Sequence, residues 1–426
     1  MGSNRTMNSI RQHVIVGAGT AGISAVEALR KAPSDDSITL ISAESDAPYS
    51  PTVLPHLLAG RIDERQVALR SADFFDRARC RLMLGRTVTG LDAERRTVSL
   101  DDGSRVSFDR LLLAVGSEPL MPKIENPDRV ECLSFTRIGD LRTLRTRLKR
   151  GSRVAILGAG LIGMELADAL AHLPLGIRVL VVEQEKQVLP RTFNETLADE
   201  VLELFQNKGV AFALGRRAAA LEKTRDGIAV TLSDASAHVV DLVVACVGVR
   251  PRIGFLAGSG VAVGRGILAD RRMATNLAGI YAAGDAAEGF SADGAAGCHP
   301  VLPTAAAQGR VAGANMADRP AGHEGWLPAN FFNFFGKVAV SVGDASAGPE
   351  RESLKRSNGA GHAELFFEGE RLVGANFLGV PTDPGSLSML IKKRVAVKEH
   401  RELLLNRPLE ASRWLAARAQ RGERVK

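Results

Sequence analysis

With 426 residues, 45% apolar and 24% charged, the chain is too long for one ordinary domain and has the make-up of a globular protein with a sizeable core. Its longest apolar runs, LVVACVGV and RLLLAVG, are too short for a bilayer span, and its four cysteines lack the spacing for a zinc or iron–sulfur site, so no metal of its own is expected. The net charge of +7 is placed unevenly: residues 391–426 hold eleven Lys and Arg against four acids, and the remainder is balanced.

A basic tail of this kind either steers an acidic partner or is a solvated face. No motif or aromatic interleaving accompanies it, which excludes nucleic acid as the expected partner. The opening MGSNRTMNSIRQ has no apolar signal core and no twin-arginine pair, and Met7 could equally be the start. Reduced thiols and no signal make a cytoplasmic location the expectation.

Taken in chain order, HVIVGAGTAGISAVEALRK reads as a strand, a glycine turn and a helix, and SITLISAE as a second strand ending in Glu44. The pattern returns in RVAILGAGLIGMELADALAHL and in IRVLVVE, which ends in Glu183. Each turn is GxGxxG: Gly17, Gly19 and Gly22, then Gly158, Gly160 and Gly163. The first glycine makes the tight turn, the second lets backbone approach a pyrophosphate, and the third lets helix pack on strand. The phosphates would rest on free amides at the helix N-terminus. Glu44 and Glu183 follow their turns by 27 and 25 residues, where an acid accepts hydrogen bonds from ribose hydroxyls. No basic pair follows Glu183 to hold a 2′-phosphate, so NADH is expected over NADPH.

Three further stretches complete a pattern. FDRLLLAVGSEP (108–119), LVVACVGVRP (242–251) and TNLAGIYAAGDAAE (275–288) resemble, in that order, the crossover, the return and the second flavin motif of the FAD- and pyridine-nucleotide-dependent oxidoreductases of the glutathione-reductase-like superfamily. The resemblance runs over nearly the whole chain. It implies an α/β fold of two Rossmann-type dinucleotide-binding domains plus a small C-terminal α/β domain. Residues 10–118 and 252–325 would form a split FAD domain, 119–251 an inserted NAD(H) domain, and 326–426 a C-terminal interface domain with the basic tail. The implied FAD contacts are Gly17, Gly19, Thr20, Ala21, Gly22, Glu44, Val88, Ala114, Gly116, Asp285 and Ala305. The implied NAD contacts are Gly158, Gly160, Gly163, Glu183 and Gly248. Asp285 would bond the ribitol chain, and LPTAAAQGRVAGANMA looks like the helix whose N-terminus faces the flavin pyrimidine. Glu165, in GMELA, matches a family glutamate beside the nicotinamide, although a carboxylate capping an early helix turn is an alternative. In WLPANFFNFFGKVAVSVG, the FFNFF run reads as core before contact surface.

The stretch APYSPTVLPHLLAG (47–60) separates this chain from most of the superfamily. Disulfide reductases carry a cysteine pair on the helix after the first turn, and NADH oxidases and peroxidases a single cysteine in this stretch; here both are absent. The stretch instead resembles the PYxRxxLSxxLAG pattern of rubredoxin reductases and of the flavin portion of assimilatory nitrite reductases. Pro48, Tyr49, Leu54, Ala59 and Gly60 match, while Pro51 and Pro55 replace an arginine and a serine. His56 lies nearest to a lysine that ferredoxin reductases place by the flavin.

A thiol-less flavoprotein implies direct transfer of electrons between NAD(H), FAD and an iron–sulfur protein, or iron–sulfur subunits of a larger complex. With proline after the serine, the stretch is most similar to flavin subunits of 2-oxoacid:acceptor complexes of the phenylglyoxylate dehydrogenase type. A free-standing reductase, then a possible homodimer, a self-contained NADH oxidase and a non-catalytic flavin/NAD sensor remain as alternatives.

Overall fold

The computed structural model describes residues 10–31, 34–345, 351–359 and 361–423; the opening nine residues and the last three of the basic tail lie outside these. The described chain divides into two units, Met1–Val53, Ile62–Glu118 and Val249–Trp326 in one, Leu54–Arg61, Pro119–Gly248 and Leu327–Lys426 in the other.

In the first unit the apolar runs become a five-stranded parallel sheet. Its order is Ile280–Ala282, Arg110–Leu113, Gln12–Val16, Ser37–Ile41, Cys80–Met83. Strands such as HVIV and LLL are apolar on both faces because a parallel sheet is covered on both. Val14, Ile15, Leu40 and Leu111–113 are all buried in one core. The strand expected to reach Glu44 stops at Ile41, and a run of bends carries the acid beyond it.

Helix Thr20–Arg30 packs on helix Leu302–Met316, and glycine spacing is what permits it. Gly309 and Gly313 fall four apart, on one helix face. A Cβ at Gly309 would lie 2.1 Å from the Ala21 carbonyl oxygen, and one at Gly313 would lie 2.5 Å from that of Ala25. Backbone thus meets backbone where side chains would force the helices apart.

The second unit repeats the parallel sheet, in the order Ala211–Leu214, Arg178–Glu183, Arg153–Leu157, Leu242–Ala245, Cys132–Leu133. A five-stranded antiparallel sheet follows from Ala329–Phe334 to Arg371–Leu378, backed by helices Pro384–Lys392 and Pro408–Gln420. The FFNFF run is half core. Strand alternation turns Phe332 and Phe334 inward, where Phe334 meets Phe205 edge-on at 5.2 Å, and leaves Phe331 60% exposed. Asn194, the cap of helix Glu195–Gln206, donates to the buried Glu364 of this sheet at 2.7 Å. No helix among the described residues is long and apolar enough to cross a membrane.

Gly309→Ala should therefore destabilise the protein by about 1–3 kcal/mol, because backbone cannot give way as a side chain can. Gly139→Ala, in helix Ile138–Arg147 with nothing within 4 Å of the added carbon, should be neutral or mildly stabilising. Urea unfolding of both variants checks this, and equal midpoints would contradict it.

Candidate functional site

In the first unit, strand Gln12–Val16 runs straight into Gly17, whose φ of +108° is open only to glycine. A Cβ there would stand 2.0 Å from the Ala114 carbonyl oxygen, and one at Gly22 would stand 2.0 Å from that of Gly17. Gly19 differs: nothing lies within 4 Å of its missing Cβ, and it begins helix Thr20–Arg30 without a capping side chain. The first-turn amides, Thr20 and Ala21 among them, have no intrahelical acceptor, and no acidic side chain competes for them. Two closed glycines and one open one make a backbone cradle for an anion.

The other expected residues of this unit are spread over several elements. Ala114 follows strand Arg110–Leu113, its amide donating to Val16 at 2.8 Å. Glu44 accepts a 2.6 Å hydrogen bond from Tyr49, which fixes the carboxylate and leaves its other oxygen for a ribose. Val88 opens a separate antiparallel sheet, where its side chain joins the core. Ala305 is buried in the first turns of helix Leu302–Met316, which has no acidic residue at its start.

Asp285 is largely enclosed. Its Oδ2 accepts from Ser117 Oγ at 2.8 Å, immediately after Gly116, and the Gly284 amide before it donates to the buried Gln308 at 2.9 Å. Burial pushes the Asp285 carboxyl up, while the Ser117 hydroxyl and a backbone amide pull the other way. An enclosed carboxylate with an oxygen to spare suits a ligand hydroxyl. FAD fits this unit: a pyrophosphate on the glycine cradle, a ribose at Glu44 and a ribitol at Asp285. Ser117, Gln308 and Tyr49 were not singled out as contacts by the sequence pattern. The hints were positional: Ser117 follows Gly116, Tyr49 falls in the matched PYxRxxLSxxLAG stretch, and Gln308 lies on the helix LPTAAAQGRVAGANMA.

The second unit builds its cradle in the same way. A Cβ at Gly158 would lie 2.4 Å from the Cys246 carbonyl oxygen, one at Gly163 would lie 2.0 Å from that of Gly158, and Gly160 opens onto free space. Glu183 ends strand Arg178–Glu183 as expected. Its Oε2 accepts from the Ala159 amide at 2.7 Å, inside the glycine turn, and its Oε1 from Glu185 at 3.0 Å. The carboxylate therefore braces the turn and keeps lone pairs for a ribose diol. A second negative group, such as a 2′-phosphate, would be repelled there. Gly248 lies beside Leu120, whose amide donates to the Gly248 carbonyl at 2.9 Å. NAD(H) fits this cradle.

Glu165 sits in the second turn of helix Leu161–His172 and does not cap it. Its carboxyl has no hydrogen-bond partner among the described residues. Burial, and then the charge of Asp168, push it up to about 7. His56 lies on the short helix Leu54–Leu58, and burial and then Arg61 push its pKa down.

All four cysteines are free thiols. Burial pushes Cys80 up to about 12 and Cys132 up to about 11, and it also raises Cys246 and Cys298. None is a ready thiolate near neutral pH. No group of three or more His, Cys, Asp or Glu among the described residues could hold a metal ion.

Two dinucleotide cradles, one in each unit, define a two-cofactor oxidoreductase. The chain belongs to the pyridine nucleotide-disulphide oxidoreductase family, whose model matches residues 11–312. It is accordingly an FAD-dependent NAD(H) oxidoreductase. It is 32% identical over 416 residues to the NADH-dependent phenylglyoxylate dehydrogenase subunit epsilon of Aromatoleum evansii, covering 96% of this chain and 98% of that one. It is 33% identical over 281 residues to the ferredoxin–NAD(+) reductase component of the anthranilate 1,2-dioxygenase system of Burkholderia cepacia, covering 65% and 68%. Among solved structures, the covalent putidaredoxin reductase–putidaredoxin complex shares its fold, with a TM-score of 0.85 at 23% identity over 96% of this chain and 98% of that one.

Ser117→Ala should weaken FAD binding about tenfold, since a hydrogen bond to a charged group is lost. It should also move the acid limb of binding upward. Asp285 accepts best when ionised, and losing the hydroxyl raises its pKa further, so retention fails at a higher pH. FAD titration of the flavin-stripped protein across pH 5–8 measures both effects. Ser117→Thr should restore the parent curve, and an unchanged affinity in Ser117→Ala would contradict the assignment.

Proposed function

We propose that this chain passes electrons between NAD(H) and an iron–sulfur partner through FAD, as the NAD-facing subunit of a 2-oxoacid dehydrogenase complex of the phenylglyoxylate type. One observation carries the reading above the others: the stretch in which related oxidases carry their cysteine has none, and the four thiols present are all held protonated. A pair of electrons entering this protein has no disulfide to reduce. The full-length similarity to a subunit of an NADH-dependent dehydrogenase supports the complex, and the similarity to ferredoxin–NAD(+) reductase components supports the iron–sulfur partner.

Bound FAD supplies the step that matters: it exchanges a hydride with nicotinamide as a pair and electrons with a one-electron carrier singly. The chain contributes position and charge. The open amides at Gly19 and Gly160 take the two pyrophosphates, Glu44 and Glu183 take the riboses, and Asp285, steadied by Ser117, takes the ribitol hydroxyl. Glu165, enclosed but without a hydrogen-bond partner among the described residues, faces the nicotinamide in this reading. With its carboxyl near 7, it can hold or release a proton at working pH.

Co-purification from the native host under anaerobic conditions, with mass spectrometry of the bound proteins, tests the assignment. Stoichiometric iron–sulfur and thiamine-type subunits are expected; recovery of the chain alone, with rapid oxygen-dependent NADH turnover, would make it an oxidase instead. Nucleotide choice gives a separate measurement. Because Glu183 meets the ribose with a carboxylate, kcat/KM for NADH should exceed that for NADPH by at least about tenfold. Equal values would overturn the role of Glu183.

A further inference from the structure

A cluster of titratable groups lies beside Glu165, within the second unit, and the cofactor contacts leave it unused. Asp168 is the next acid on the same face of helix Leu161–His172, three residues on, where side chains are neighbours at about 5–6 Å between Cβ atoms. Its side chain is 3% exposed. Its Oδ2 accepts from Arg61 Nη2 at 2.8 Å, and its Oδ1 from the Phe335 amide at 2.9 Å. Arg61 directly follows the APYSPTVLPHLLAG stretch, and Phe335 lies in the turn after strand Ala329–Phe334. One carboxylate therefore ties two remote pieces of chain to the helix that carries Glu165.

Two imidazoles complete the surroundings. His172 Nδ1 lies 3.0 Å from Arg61 Nη2 and 3.6 Å from Asp168 Oδ1, and the His172 ring stacks on Phe335 at 5.1 Å. His56 feels both Arg61 and Asp168, and burial and Arg61 hold it toward the neutral form. Asp168 is thus the charged neighbour that acts on Glu165, and Arg61, His172 and His56 gather around Asp168.

We propose that the Arg61–Asp168 pair sets the protonation of Glu165, with Asp168 a positioning residue for the nicotinamide-side reaction as well as a tie between chain segments. This rests on the reading above that Glu165 faces the nicotinamide. Asp168 cannot relax away from Glu165, because the Arg61 and Phe335 donors hold both of its oxygens, so its charge acts at constant distance. A negative charge one turn away opposes ionisation of Glu165, and the guanidinium paired with Asp168 limits that opposition. The stretch that holds a redox cysteine in related oxidases is followed here by the arginine that tunes a proton-holding acid.

The test is an infrared pH titration of the flavin-loaded, full-length protein over pH 5–9, with the protonated carboxyl band of Glu165 identified by its loss in Glu165→Gln. Asp168→Asn keeps an oxygen for the Phe335 amide but removes the charge, and should lower the Glu165 midpoint by up to about one unit, the larger share of the rise being due to burial. Arg61→Gln should raise it, and Arg61→Lys should leave it near the parent value. A midpoint unmoved in a folded Asp168→Asn, as judged by an unchanged melt, would overturn the proposal, as would Arg61→Gln and Arg61→Lys behaving alike. Anaerobic reduction of the flavin by NADH, followed over the same pH range, separates this from the underlying reading. If the Glu165 midpoint moves and the reduction profile does not follow, the clamp stands and the placement of Glu165 at the nicotinamide falls.

Discussion

Backbone meets backbone at both glycine turns, and each cofactor cradle depends on that closeness. At Gly17 and Gly158 the α-carbon lies so near the carbonyl oxygen of Ala114 or Cys246 that any side chain would collide. The strand can then turn at once into a helix, with its first amides exposed over open space at Gly19 and Gly160. The close helix pairing at Gly309 and Gly313 is the same device in the next layer, holding helix Leu302–Met316 against the helix of the flavin cradle. Precision in this protein comes from residues without side chains.

The chemistry follows from what such a frame leaves out. A cradle of amides and carboxylates binds and orients, but it stores no electrons. The thiols that could store them are held protonated, Cys80 and Cys246 by burial in the core. Redox capacity therefore rests with the bound cofactors, and the chain controls protons and position. The carboxyls that deviate upward, Glu165 and Asp285, are enclosed groups, one in each unit, and burial is the leading cause in both.

Much of this was legible in the sequence. Glycine spacing followed by an acid about 25 residues on encodes strand, turn, helix and strand together, so Gly17, Gly22, Gly158, Gly163 and Glu183 could be read as a set. What escaped was set by tertiary distance. Ser117 reaches Asp285 across 168 positions, and Arg61 reaches Asp168 across 107. Neither pair has a local pattern, because a hydroxyl or guanidinium partner is chosen by the fold and not by its neighbours in sequence. The FFNFF run was half legible: strand alternation gave Phe332 and Phe334 to the core, while Phe331 faces outward. The exit of strand Ser37–Ile41 before Glu44 shows why apolar runs mark strands better than they mark strand ends.

The central claim is that electrons cross this protein without a working thiol. The direct test replaces Cys80, Cys132, Cys246 and Cys298 with serine together and follows, without oxygen, reduction of the bound flavin by NADH and its reoxidation by a one-electron carrier. Both rates should stay within about twofold of the parent, with the flavin retained. A loss of tenfold or more in either, in a protein that still holds its flavin, would show a cysteine on the electron path and contradict the account.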